Sequence, residues 1–299
     1  MKEERYFYAP DALSSTELPE DEAKHAVSVL RLQAGDEVFL IDGKGTFHRA
    51  EITMATKKHC NYRIIESLPQ EREWSGRIHL AMAPTKMMDR IEWFAEKATE
   101  IGFDELSFLD CRLSERRNLR IDRIETKVLG AVKQSRKAWM PIVNDMQSFS
   151  DFIEAHNPTL KQHEQQSQIS ATAQATTVPS ASPLGSATVP DEFSSGTLNT
   201  IYCIAHCYDD IPKEHLFTLL SSNSEAKESP TCRDCPPPCG GVRGGSNVVI
   251  LIGPEGDFHH EEVELALSKG YHSISLGTSR LRTETAALSA VMMARLINS

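Results

Sequence analysis

The chain has 299 residues, with 32 Lys+Arg against 42 Asp+Glu and a formal net charge of −10. At 40% hydrophobic and 25% charged its composition is ordinary for a globular protein, which excludes a collagen-like or wholly disordered chain. No run of about eighteen apolar residues is present, so no membrane-spanning helix is expected.

The N-terminus, Met1-Lys2-Glu3-Glu4-Arg5, is charged and runs into Tyr6-Phe7-Tyr8 with no apolar signal core. Seven cysteines, an odd number, suit a reduced compartment better than a disulfide framework. A cytoplasmic location is the expectation. A helix is predicted over Glu20–Leu30. Short runs rich in β-branched and aromatic residues follow at Asp36–Asp42, Thr46–Thr53 and His59–Glu66, the first two joined by a Gly43-Lys44-Gly45 turn. Such spacing predicts a small barrel. Ser67–Gly76 is polar and reads as a linker between a unit over 1–70 and a second over 77–299.

Beyond it, strand and helix alternate. Ile78–Met82 is a predicted strand, Lys86–Ile101 a helix stopped by Gly102, Leu106–Leu109 a strand and Ile121–Lys137 a helix. Ile201–Ala205 and Val248–Ile252 are continuous apolar runs, the mark of buried parallel strands. Glu261–Lys269, Ser273–Leu276 and Thr283–Ile297 complete the pattern as helix, strand and a mostly apolar helix expected to be buried. The alternation predicts an α/β domain. Gln162–Thr200 and Ser221–Ser246 are rich in small and polar residues and read as insertions. The second holds Cys232, Cys235 and Cys239. Three thiolates without a clear fourth ligand are a weak zinc signal, and no metal is predicted.

Two stretches carry chemistry. Leu251-Ile252-Gly253-Pro254-Glu255-Gly256-Asp257-Phe258 is a strand, a glycine turn and the start of a helix, placed where open α/β sheets bind ligands. Gly253 and Gly256 would let backbone approach a ligand. Leu276-Gly277-Thr278-Ser279-Arg280-Leu281-Arg282-Thr283-Glu284-Thr285-Ala286 repeats the arrangement, with Thr283 read as a helix cap. Between Arg112 and Lys137 the charge balance reverses: Arg112, Arg116, Arg117, Arg120, Arg123, Lys127, Lys133, Arg136 and Lys137 face three acids. Gathered on one face, they would suit phosphate. A solvated helix face is the plainer reading.

The paired loops, in this order, resemble those of the ribosomal small-subunit RNA methyltransferases of the RsmE type, of the SPOUT class. Arg5-Tyr6-Phe7-Tyr8, the stretch from His25 through Val29-Leu30-Arg31 to Gly35-Asp36, Glu96–Gly102 and Gln134-Ser135 extend the likeness over nearly the whole chain. The resemblance implies a PUA-like RNA-binding barrel, an α/β domain with a C-terminal trefoil knot, a homodimer, and S-adenosylmethionine-dependent methylation of a uridine N3 in 16S RNA. It assigns Gly253, Pro254, Glu255 and Gly256, with Leu276, Gly277 and Leu281, to the cofactor. Arg282 is the expected charge stabiliser, and Glu284 the proton acceptor or the group that orients Arg282. Arg5, Arg31, Arg112, Arg116, Arg117 and Arg136 are the expected RNA contacts. Asp257 and Arg136-Lys137 depart from the pattern, standing where many members carry glycine. Ribose methylation by the same class and a non-catalytic assembly factor are the alternatives.

Overall fold

Alternating apolar and polar side chains build the first sheet. Strands β1 (Tyr6–Tyr8), β2 (Glu37–Ile41), β3 (Thr46–Ala55) and β4 (Cys60–Pro69) lie side by side in that order. β1 pairs parallel with β2; the other pairs are antiparallel. The β2–β3 turn is set by its residues. Gly43 and Gly45 take positive φ (73° and 105°), and Asp42 Oδ1 accepts from Lys44 N (2.7 Å) and Thr46 N (2.9 Å). Helix α1 (Glu20–Lys24) continues into a π-helical turn over His25–Val29, together spanning the predicted helix. Its Ala23 and Ala26 join Phe7, Val38, Leu40, Ile52 and Tyr62 in one core. The computed structural model describes residues 4–56, 58–158, 200–225 and 245–299.

The second sheet has seven strands: β5 (Ile78–Met82), β6 (Glu105–Asp110), β7 (Ile142–Ser148), β8 (Thr200–Ala205), β9 (Glu214–His215), β10 (Asn247–Ile252) and β11 (His272–Ser275). Their order is β7-β6-β5-β10-β8-β11-β9, and every pair is parallel. A parallel sheet must be covered on both faces. Leu80, Phe108 and Ile250 point to one side, with α2 (Met88–Ile101), α3 (Ile121–Gln134), α5 (Leu216–Glu225) and α7 (Thr283–Asn298). Ala81, Leu109 and Leu251 point to the other, with α4 (Phe149–Ala155) and α6 (His260–Ser268). This is the α/β arrangement read from the sequence, in three layers.

Several elements differ from expectation. β1, β7, β9, α4 and α5 were not predicted. Most of α7 buries a small-residue stripe, Ala287, Ala290, Val291 and Ala294, but Met292 and Leu296 are exposed, so the helix is not buried all round. Ser67–Gly76 is not a free linker: β4 runs to Pro69, and Trp74 is buried with its Nε1 donating to Asp104 Oδ2 (2.9 Å). Ser221–Glu225 belong to α5, and Ser246 is buried and bonded to Asn298 Oδ1, so both ends of the second insertion are structural. The rest of both insertions, with Cys232, Cys235 and Cys239, lies outside the described residues. The two sheets meet where Gly45 N donates to Ala138 O (3.0 Å) and Met140 N to Gly43 O (2.9 Å).

Candidate active site

Three adjacent strands, β10, β8 and β11, end side by side, and a cavity of about 970 Å³ opens at their carboxyl ends. That is the ligand-binding edge of a parallel sheet. The β10 loop lines it with Gly253, Pro254, Glu255 and Asp257, and the β11 loop with residues 276–283. The two glycine loops therefore share one pocket.

In the first loop, a Cβ on Gly253 would lie 3.0 Å from Phe258 N and 3.1 Å from Phe258 Cδ2, so a side chain there would force Phe258 to give by a few tenths of an ångström. Glu255 is turned aside: its Oε1 accepts from Lys86 N (3.0 Å) and fixes the loop to the chain before α2. Gly256 is placed differently from Gly253. It does not line the cavity, and a Cβ there would meet Leu113 Cβ at an ordinary 3.7 Å. Asp257 has φ 70°, a left-handed conformation that glycine adopts without penalty and that asparagine and aspartate tolerate. Its Oδ2 accepts from Cys207 N (2.7 Å) and its Oδ1 from Phe258 N (2.8 Å), which ties the β10 loop to the β8 loop.

In the second loop, Gly277 has φ 129° and open space around it, so glycine is needed for backbone conformation rather than for room. Leu276 and Leu281 supply apolar wall. Arg282, not Thr283, occupies the N-cap of α7, with extended backbone (φ −71°, ψ 155°). It is exposed, lines the cavity, and has no ion pair among the described residues. Glu284 is buried and does not line the cavity. The expected Glu284–Arg282 contact is not formed; the cation beside Glu284 is Arg90 of α2, with Nη1 3.7 Å from Oε1.

The third wall was not read from the sequence. It consists of Ala205, His206, Cys207, Asp209 and Lys213 after β8, with Arg90. Only the burial of strand Ile201–Ala205, followed at once by polar residues, could have pointed there. His206 is buried, its Nε2 2.8 Å from Ser273 Oγ, and burial together with Lys213 holds its pKa below the ordinary histidine value. Burial and the nearby Asp257 push the Cys207 thiol up, which keeps it protonated near neutrality and a poor nucleophile. Lys213 is engaged with Tyr208 O (2.7 Å). The site thus offers apolar walls, backbone donors and arginines, and no activated nucleophile: it suits alignment of two bound reactants.

Residues 72–185 and 197–295 match a family model described as an RNA methyltransferase domain, and residues 18–65 one described as an RNA methyltransferase PUA domain. The chain belongs to the RNA methyltransferase family. It is 26% identical over 288 residues to the ribosomal RNA small subunit methyltransferase E of Rickettsia conorii, covering 96% of this chain and 91% of that one. The Bacillus subtilis protein of the same name is 23% identical over 280 residues, 91% and 86% of the two chains. A solved probable rRNA-methyltransferase from Porphyromonas gingivalis is similar with TM-score 0.69 and 33% identity over 98% of both chains. A putative methyltransferase from Legionella pneumophila, solved with bound S-adenosylmethionine, shares the fold with TM-score 0.64 and 22% identity over 98% of both.

In this methyltransferase the basic run does not form one free face, because its cations meet carboxylates and carbonyls on several elements. Arg112 pairs with Glu261, and Arg117 with Asp110 (2.7 Å). Arg116 Nε donates to Thr85 O and Lys86 O, both at 3.2 Å. Arg120 pairs with Asp122, Arg123 and Lys127 with Glu92, and Lys133 of α3 with Glu22 of α1. Lys137 is buried against Glu73, and Arg136 pairs with Glu4 (2.9 Å) over the Tyr6 ring. Arg31 is exposed with φ 55°, and Arg5, half-buried, precedes β1. The six arginines of interest thus fall in two groups: Arg112, Arg116 and Arg117 beyond β6, and Arg5, Arg31 and Arg136 on or against the first sheet.

Proposed function

We propose that the chain transfers a methyl group from S-adenosylmethionine to N3 of a uridine in the 16S RNA of the small ribosomal subunit. The observation that carries this reading is the single cavity walled by both glycine loops at the carboxyl ends of β10 and β11. The residues fit the cofactor. Ile252, Ile274, Leu276, Leu281 and Ala286 give apolar wall for an adenine ring, and the loops around Gly253, Pro254 and Gly277 bring backbone groups to its polar atoms. When bound, S-adenosylmethionine supplies a methyl group on a positively charged sulfur. The relatives named for small-subunit RNA methylation, matched over most of their length, support the choice of substrate.

The protein's part is to align the base and ease loss of the N3 proton. Arg282, uncommitted among the described residues, stabilises charge developing on a uracil carbonyl. The base must be unstacked to reach the cavity. We assign the unit over 1–70 to RNA as a PUA-like barrel, and the unit over 77–299 to a SPOUT domain whose C-terminal segments form a trefoil knot. Arg5, Arg31, Arg112, Arg116, Arg117 and Arg136 contact phosphates. Two chains pair as a homodimer, for which exposed Phe217, Met292 and Leu296 on α5 and α7 are apolar surface. The setting is the cytoplasm, with the small-subunit RNA or the assembled subunit as partner. Tritium transfer from labelled S-adenosylmethionine to small-subunit RNA tests the reading. Label recovered as N3-methyluridine after complete nuclease digestion is the expected result. A nuclease-resistant dinucleotide would mean ribose methylation, and no transfer a non-catalytic RNA-binding factor.

A further inference from the structure

We propose that Arg90, oriented by the buried Glu284, is the second anion-binding arm of this cavity. The ligand chemistry it fits is a planar anion with two adjacent acceptors. A carboxylate has it; a uracil that has lost its N3 proton offers the same donors a charged carbonyl oxygen, with N3 left free to take the methyl group. The inference rests on the methyltransferase reading and brings in Arg90, which the paired glycine motifs do not contain.

Arg90 stands in the first turn of α2, at the positive end of the helix dipole. A cation there is unfavourable for the helix, so helix stability does not account for it. Glu284 stands in the first turn of α7, where the dipole favours a carboxylate, yet it is buried at 6% exposure. A buried carboxylate must be compensated. Its Oε1 is 3.7 Å from Arg90 Nη1, an ionic contact too long for a hydrogen bond, and its Oε2 has no hydrogen-bond partner. The pair is therefore held by charge without closing the guanidinium fork. Arg90 lines the cavity with about a third of its side chain exposed, leaving donors for a ligand.

Of the other charged groups lining the cavity, Glu255 is bound to Lys86 N, Asp257 to Cys207 N and Phe258 N, and Lys213 to Tyr208 O with Asp209 Oδ1 3.8 Å away. Arg280 is exposed on the β11 loop and, unlike Arg90, has no buried carboxylate beside it among the described residues. No lining carboxylate is paired with Arg90 or Arg282 among the described residues; Glu284 touches Arg90 from outside the cavity lining. A guanidinium held in this way binds planar two-acceptor anions better than an ammonium can. Glu284 is thereby a positioning residue for Arg90 rather than a proton acceptor.

The test uses the full chain with Arg90→Gln, Arg90→Lys and Glu284→Gln, each first checked by thermal melting. Calorimetry measures S-adenosylhomocysteine, which has a carboxylate, and 5′-methylthioadenosine, which has none. If the cofactor carboxylate is the anion, Arg90→Gln weakens the first about tenfold or more and leaves the second unchanged. If the anion is the uracil, both affinities stay and single-turnover transfer to RNA slows, its pH profile displaced upward because loss of the N3 proton is no longer assisted. In either case Arg90→Lys recovers part of the loss, and Glu284→Gln shifts the same reading in the same direction by less. A folded Arg90→Gln protein with unchanged affinities and an unchanged pH profile overturns the proposal. Glu284→Gln that only lowers the melting temperature overturns its positioning part. Wild-type protein that binds neither compound sinks the methyltransferase reading, and this inference with it.

Discussion

Gly253 and Gly256 sit in one motif but are under different constraints. At Gly253 a methyl group meets backbone and ring of Phe258 at 3.0–3.1 Å, and neither can withdraw without moving the loop. Gly253→Ala should cost about 1–3 kcal/mol by overpacking and weaken S-adenosylmethionine binding in calorimetry. Gly256→Ala meets only ordinary contact with Leu113 and should bind and melt like wild type. Equal damage from both would mean that Gly256 contacts the cofactor after all. His206 gives a pH prediction. Its folded pKa is depressed by burial first and by Lys213 second, so it stays neutral where the unfolded chain takes up a proton. The stability this contributes is whole above the ordinary histidine value. It is lost as pH falls through that value toward the folded one. His206→Gln can keep the bond to Ser273 without titrating. Between pH 7 and pH 5 the wild type should therefore lose more melting temperature than the variant. Equal losses would remove His206 from the account.

The end of α1 separates fold from function. After the π-helical turn, Arg31 takes φ 55°, a conformation that glycine adopts without the Cβ penalty. Arg31→Gly should leave stability equal or raise it by about 1 kcal/mol. If the guanidinium contacts a phosphate, RNA affinity falls and the salt dependence of binding loses about one counterion. Filter binding over a salt series checks this; unchanged RNA affinity would assign Arg31 to the surface alone. Legibility in the sequence follows the same physics of elements. Central strands such as β5 and β10 are buried on both faces and read as apolar runs. Helix α2, with Ile91, Phe94, Ala95 and Ala98 turned inward, reads by its spacing. Edge β7 is polar and mostly half-exposed, β1 spans three residues and β9 two, too few for a pattern. The glycine loops announced two walls of the cavity. The third follows β8 with no glycine signature, and Arg90 arrives from a helix distant in sequence, so only the folded chain brings them in.

At the scale of the whole molecule, the chain departs after Pro158 and returns at Thr200 into β8, whose register with β10 is fixed from Thr200 onward. Pro158 packs near Gly270, and Phe152 and Ile153 of α4 lie in the second core, so the near flank is anchored. Replacing 163–199 by a short Gly/Ser bridge should leave the protein folded, active and in the oligomeric state of the parent, because closure entropy changes by only about 0.6 kcal/mol per doubling of length. Melting, light scattering and methyl transfer check it; a folded variant that binds cofactor but no longer methylates RNA would make the segment part of substrate docking. The strand order has a consequence for synthesis. β10 is central in space but late in sequence: it lies between β5 and β8, which do not pair with each other. A nascent chain that has emerged only through β8 holds two apolar strands whose common partner is still untranslated. The centre of the sheet can close only after Asn247–Ile252 leaves the ribosome. Folding is thus slow in the manner of long-range parallel pairing, and β5 and β8 stay exposed to chaperones and proteases until β10 inserts between them.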